Sequence, residues 1–223
     1  MDKKLLASAI TKFLSGLLLM GLLLFLPAGT LAWPDGWLLM GILFVPMFFA
    51  GLVMLAKSPE LLRRRLKARE SEGEQRTVIA LSGLMFLLSF ILAGLNYRSD
   101  WMMLPRWVSL AAAAVFLLGY GLFGEVLREN VYLARTVEVE KGQKLIDTGL
   151  YGIVRHPMYS ATVLMFLAMP LVLGSPLSFA VMLLYLPIIA KRIRNEEQVL
   201  SKGLEGYKEY CGRVKYRLFP WIW

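Results

Sequence analysis

The chain has 223 residues, of which 57% are hydrophobic and 18% charged, with a formal net charge of +9. Soluble domains carry roughly 45–50% apolar residues, and one core of this size cannot bury the excess, so an ordinary soluble domain is excluded. The basic residues flank long apolar runs instead of lining a polar face, which argues against nucleic-acid binding and for a membrane surface.

A helix that crosses a bilayer needs about 20 mostly apolar residues, and six runs qualify. The first covers residues 5–26 and stops at Pro27-Ala28-Gly29. It follows Lys3 and Lys4 and has no small-residue cleavage site, so it reads as a retained span, not a removed signal. The second covers residues 37–56 and stops at Lys57-Ser58-Pro59. The third covers residues 78–95 and the fourth residues 105–127. The fifth and sixth, residues 157–173 and 177–190, are short. Gly174-Ser175-Pro176 makes a tight turn between them, so they form a helical hairpin. Pro170 and Pro187 are expected to kink their helices.

Charge supports this count. Lys and Arg number three up to residue 12, seven in 57–76, five in 128–155 and eight in 191–217. Only Arg98 and Arg106 lie in the alternate connections. This positive-inside asymmetry predicts six spans with both termini and the polar segments in the cytoplasm. The fold class is thus an all-α, polytopic transmembrane bundle. Residues 1–100 form a three-span N-terminal part, and residues 101–223 form a second part holding three spans, a cytosolic loop and a C-terminal segment. Leu61-Leu62 before Arg63-Arg64-Arg65 reads as a basic stretch on the membrane surface. Val199, Leu200, Leu204, Tyr207, Cys211 and Val214 share one face of a predicted interfacial helix. The six tryptophans, Trp33, Trp37, Trp101, Trp107, Trp221 and Trp223, sit near span ends, where amphipathic rings prefer to lie.

The chemistry concentrates between Glu125 and Tyr159. Glu125, Arg128, Glu129 and Asn130 leave the fourth span, a polar loop runs from Thr136 to Thr148, and Tyr151, Arg155 and His156 precede Pro157. Pro157 suits the first helical turn, which puts Arg155 and His156 at the mouth of the fifth span. A helix N-terminus beside an Arg suits an anionic ligand group; ordinary interfacial anchors fit the same residues. The sixth span ends in Lys191-Arg192-Ile193-Arg194-Asn195-Glu196-Glu197. Hairpin arms of 17 residues (157–173) and 15 residues (177–191) rise roughly 22–26 Å, so the two mixed-charge clusters share one depth. Arg192 and Glu196 are four residues apart on one helix face. Cations for a carboxylate beside carboxylates for an ammonium or hydroxyls suit a zwitterionic small molecule. A salt-bridged helix end is the plainer alternative. One cysteine (Cys211) excludes an intramolecular disulfide, and one histidine excludes a His-rich metal site. Gly119, Gly121 and Gly124 match a dinucleotide-binding pattern but lie within an apolar helix, where close helix packing explains them better.

At these residues the chain resembles the isoprenylcysteine carboxyl methyltransferase family and, more broadly, membrane methyltransferases that include phosphatidylethanolamine N-methyltransferases. The similar pieces are Gly142 to Leu145, Thr148 to Tyr151, Arg155 to Tyr159, Arg192 with Glu196-Glu197 and Leu200, then Tyr207, Tyr210, Arg213-Val214 and Arg217 to Pro220. The resemblance implies an S-adenosyl-L-methionine pocket on the cytosolic side, lined by Tyr151, Arg155, His156, Pro157, Tyr159, Glu196 and Glu197. It implies that Arg192 and Glu196 serve catalysis and substrate contact, and that the acceptor is lipidic or lipid-anchored, with no metal and no nucleic acid. The second part of the chain is then the methyltransferase-like core. Leu150 stands where Pro is common, and Ser160-Ala161 replaces a usual small-Gly segment. An NADPH-dependent membrane sterol reductase resembles the same hairpin, although Ser160, Ala161 and Thr162 replace its usual Gly and acidic residue. A non-enzymatic membrane protein predicts ionisable residues in mid-span, and the span interiors carry almost none.

Overall fold

The computed structural model describes residues 3–66, 73–133, 139 and 142–223, with the backbone alone for residues 73–76. Within these residues the chain forms α1 (Lys3–Ala28), α2 (Pro34–Lys57), α3 (Pro59–Leu66), α4 (Gly73–Ser99), α5 (Arg106–Glu129), α6 (Pro157–Val172), α7 (Pro176–Met182), α8 (Tyr185–Gly203) and α9 (Tyr207–Arg213). A 3-10 turn spans Gly149–Gly152. Lys67, Arg69, Arg135, Lys141 and much of the predicted polar loop, including Thr136, lie outside the described residues, as does the side chain of Arg76.

Punctuation residues set most boundaries. Gly29 takes the left-handed conformation after α1 (φ 69°), as a helix C-terminus favours. Pro34, Pro157 and Pro176 open α2, α6 and α7, where a missing N–H costs nothing. Gly174 (φ 69°) turns the chain after α6, and the Ser175 side chain caps α7 by accepting from the Ser178 N–H at 3.3 Å. Pro187 explains the gap between α7 and α8. It cannot donate to the Leu183 carbonyl four residues back, and Leu186 N–H donates there instead, at 3.1 Å.

Among the described residues, five stretches are long and apolar enough to cross a membrane: α1, α2, residues 77–99 of α4, α5, and the α7–α8 rod from Pro176 to Gly203. Helix α6 is the expected fifth span, but with 16 residues it rises only about 24 Å. Large apolar side chains such as Leu18, Leu26, Phe49 and Leu118 face outward, as they do on a lipid-exposed surface. The protein is an all-helical, multi-pass integral membrane protein.

Contacts between connections give the helices alternating directions. At one end, Arg106 pairs with Asp35, Tyr97 donates to Ala32 O at 2.8 Å, and Leu104 N–H donates to Gly174 O at 2.9 Å. At the other end, Lys12 donates to Leu66 O, and Arg64 donates to Val131 O at 2.7 Å. The described basic segments gather at this second end, as the charge count predicts.

Some expectations need correction. The sixth span, expected to stop near Ala190, continues as helix to Gly203 and carries its charged residues into the polar end. The predicted amphipathic helix is broken at Leu204–Gly206, where Gly206 has φ 77°. Leu200, Leu204, Tyr207, Cys211 and Val214 still form one apolar cluster with Leu145 and Tyr210, because the turn folds α9 back beside α8. Trp33 is fully buried and stacks on Tyr97 with ring centres 4.8 Å apart, so it serves the core, not the lipid interface. Of the three α5 glycines, only Gly119 packs closely: a Cβ there would come 3.1 Å from Ala161 O on α6, whereas at Gly121 and Gly124 it would meet open space.

Gly94 on α4 approaches α1 more closely still. A Cβ at this position would lie 2.7 Å from Leu24 O and 3.0 Å from Ala28 N. Overpacking of this kind costs about 1–3 kcal/mol. Gly94→Ala is expected to lower the thermal unfolding midpoint in detergent, while Gly121→Ala leaves it unchanged or raised. Equal midpoints for the two variants would contradict the tight α1–α4 contact.

Candidate functional site

The site forms where four segments meet at the polar end: the end of α5, the 3-10 turn, the mouth of α6, and α8 with the chain that follows it. Each is fixed by a local interaction. Glu129 at the end of α5 accepts from the Leu150 N–H at 3.1 Å. Its carboxylate fills the space that a side chain on Gly149 would need, and Gly149 holds φ 51°. Only glycine combines that backbone with that approach. Asn130 then donates to the Tyr151 hydroxyl at 2.9 Å, and Tyr210 donates to Tyr151 O at 2.7 Å. Tyr151 is thereby held from both sides. Burial pushes its hydroxyl well above the usual tyrosine range, so it stays neutral and able to donate.

The mouth of α6 is bound by the C-terminal segment. Arg155 N–H donates to Tyr216 O and His156 N–H to Arg217 O, each at 2.9 Å. Ser160 donates to Leu218 O at 2.6 Å. Glu197 on α8 joins these parts. Its carboxylate lies 2.9 Å from Arg155 Nε, 3.3 Å from His156 Nε2 and 2.9 Å from Arg217 Nε. A carboxylate partner places the imidazole proton on Nε2. His156 Nδ1 faces Glu196 at 3.8 Å. One turn deeper, Arg192 Nε donates to the Tyr159 hydroxyl at 2.8 Å, and that hydroxyl donates to Glu196. Arg192 and Glu196 therefore share a face, as their spacing predicts, and they meet on Tyr159.

A cavity opens beside these groups. Tyr151, Arg155, His156, Tyr159, Arg192 and Glu196 line it. Pro157 and Glu197 do not. Pro157 opens α6 behind the wall, and Glu197 turns toward Arg155 and Arg217. The sequence reading missed Asn130, Tyr132, Tyr207 and Tyr210 in the lining and Arg217 behind it. Tyr207 is one of the residues on the predicted interfacial face, and both Tyr207 and Tyr210 stand among the pieces that carry the family resemblance. The Tyr207 hydroxyl is buried without a hydrogen-bond partner among the described residues.

These features fit a sulfonium-bearing zwitterion. Five tyrosines line the cavity, and tyrosine rings can hold a cation; Glu196 offers a carboxylate, and Tyr207 offers a buried hydroxyl. Leu133, Leu145, Leu200 and Leu204 supply an apolar wall.

Residues 107–205 match the family model for phospholipid methyltransferase. The chain is 26% identical over 155 residues to the Arabidopsis thaliana protein-S-isoprenylcysteine O-methyltransferase B, covering 61% of this chain and 76% of that one. Over these segments the chain is similar to phospholipid and isoprenylcysteine methyltransferases. The fold agrees: the solved eukaryotic intramembrane Ras methyltransferase, isoprenylcysteine carboxyl methyltransferase, superposes with a TM-score of 0.57 at 22% identity, over 92% of this chain and 74% of that one. A delta(14)-sterol reductase of Mus musculus is 34% identical over 91 residues, 40% of this chain but 22% of its own length. The chain spans between about a fifth and a third of the sterol reductases it matches.

Removing Glu197 leaves two guanidiniums and an imidazole facing each other with little solvent. Breaking a buried pair from one side costs about 3–5 kcal/mol. Glu197→Ala is expected to lower the unfolding midpoint far more than Glu205→Ala, an exposed change on the same segment. Similar midpoints for both would contradict the joining role of Glu197.

Proposed function

We propose that this membrane methyltransferase relative transfers a methyl group from S-adenosyl-L-methionine to a lipidic or lipid-anchored acceptor. The supporting observation is the pocket itself: the α6 mouth and the charged end of α8 converge on Tyr159 and His156, in a chain of phospholipid methyltransferase kinship. In this reading residues 101–223 are the methyltransferase core and residues 1–100 an N-terminal three-span part. Both termini and the pocket face the cytoplasm, following the positive-inside charge bias.

When bound, S-adenosyl-L-methionine supplies a methyl group on a positively charged sulfur, already activated for in-line displacement. The residues need only orient two reactants and keep water away. Tyr151, Tyr159, Tyr207 and Tyr210 hold a cationic centre against their rings. Glu196 accepts hydrogen bonds from an ammonium or from hydroxyls. Arg192 holds an acceptor carboxylate, which attacks without a base. An amine acceptor must lose a proton, and Glu196 is placed to take it. Arg155, His156 and Glu197 keep the α6 mouth and the C-terminal segment together, and Pro157 sets the start of α6. A lipidic acceptor enters sideways from the bilayer, and the soluble cofactor enters from the polar end.

A second reading is NADPH-dependent reduction of a sterol-like substrate, favoured by the 34% identity to the mouse sterol reductase. Calorimetric titration of the detergent-purified chain separates the two. S-Adenosyl-L-methionine is expected to bind, with affinity falling about tenfold or more in His156→Ala and Glu196→Ala, and NADPH is expected not to bind. Absent binding, or binding indifferent to both substitutions, would overturn the methyltransferase reading. NADPH binding in its place would establish the reductase.

A further inference from the structure

Residues 217–223 form a closed turn that methyl transfer leaves unused. The Arg217 and Leu218 N–H groups both donate to Trp223 O, at 2.8 and 2.9 Å. The Ile222 and Trp223 N–H groups both donate to Phe219 O, at 3.2 and 3.3 Å. The apolar side chains of the turn divide in two. Leu218 is buried, and Phe219 and Trp223 pack against the same cluster, which holds Tyr159 of α6 and Ile189 and Ile193 of α8. The Arg217 guanidinium covers the Trp223 ring, 5.3 Å from its centre. Trp221 and Ile222 go the other way.

Trp221 is 87% exposed and Ile222 80%, the highest exposures of any large hydrophobic residues among those described. Trp221 also has φ 63°, a left-handed backbone that glycine takes readily and a bulky residue does not. Such strain persists only where surrounding contacts impose it, and here the four backbone hydrogen bonds do so. The strained residue is spent on presenting its own ring, with a second apolar side chain beside it, away from the protein. Adjacent apolar groups held out in this way mark a surface that meets another apolar phase.

Depth identifies that phase. Ile189 and Ile193 stand on either side of Lys191, where the apolar stretch of α8 gives way to charge. Arg217 pairs with Glu197 one turn further along α8. The turn therefore lies where the bilayer passes from acyl chains to headgroups, beside helices whose outer faces already meet lipid. A tryptophan ring is favoured at that level. Lys191, Arg194 and Lys215 are exposed at the same end and supply positive charge toward anionic headgroups. We propose that Trp221 and Ile222 are a bilayer anchor, inserted at the headgroup–acyl boundary of the leaflet at the polar end. Through the closed turn the anchor holds Tyr216 O and Arg217 O against the Arg155 and His156 N–H groups, so the bilayer itself steadies the mouth of α6. The inference does not depend on which reaction the pocket performs.

The test uses the full chain in nanodiscs of phosphatidylcholine and phosphatidylserine. A nitroxide on Ile222→Cys, in a Cys211→Ser background, is compared with one on Glu205→Cys, an exposed position between α8 and α9. At position 222 collisions with oxygen are expected to exceed those with a water-soluble nickel chelate, and at position 205 the order is expected to reverse. In unlabelled protein, Trp221→Ser combined with Ile222→Ser is expected to speed hydrogen exchange of the Arg155 and His156 amides severalfold while leaving α4 unchanged. A water-exposed signal at position 222, or unchanged exchange at both amides, would overturn the proposal. A double variant that loosens α4 as well has lost its fold, and the nitroxide comparison then decides alone.

Discussion

Glu197 is the point on which the polar end of the molecule depends. Its carboxylate contacts Arg155 and His156 at the mouth of α6 and Arg217 in the C-terminal segment. Without it, Arg155 and Arg217 meet as like charges. Buried ion pairs add little net stability compared with apolar packing. Their value here is registration. Two backbone hydrogen bonds and the Ser160 hydroxyl already lay the C-terminal segment across α6, and Glu197 adds α8 to that assembly. Arg192, Glu196 and Tyr159, one turn deeper, then face the cavity at fixed separation.

This arrangement divides the labour between adjacent acidic residues. Glu197 looks away from the cavity and holds structure; Glu196 looks into it and meets Tyr159. Neighbours on a helix point about 100° apart, so a Glu-Glu pair at the end of α8 can serve both the frame and the pocket. His156 lies between the two carboxylates. The chain is similar over parts of its length both to methyltransferases and to sterol reductases.

Much of the fold was legible in the sequence because the bilayer imposes it. Apolar runs of span length and a one-sided distribution of Lys and Arg yielded the helices and their alternation, and Gly174-Ser175-Pro176 marked the hairpin. The meeting of Arg155-His156 with Arg192, Glu196 and Glu197 followed from arm length alone. What was not legible depends on contacts between distant segments. Nothing periodic says that residues 216–218 return to the start of α6, that Arg217 reaches Glu197, or that Leu61 of α3 packs beside Tyr151. Trp33 has the composition of an interface residue, and its burial follows from Tyr97 on another helix. Gly206 breaks the predicted amphipathic helix through its backbone conformation, while side-chain periodicity continues through the break.

The central claim is that one cofactor pocket lies between the α6 mouth, α8 and the C-terminal segment. Hydrogen–deuterium exchange of the chain in nanodiscs, with and without S-adenosyl-L-methionine, tests it most directly. The account predicts that the cofactor slows exchange in residues 143–159 and 192–214 and leaves the α1–α2 connection unchanged. Unchanged exchange in both of those segments, or protection confined to the opposite end of the bundle, would contradict it.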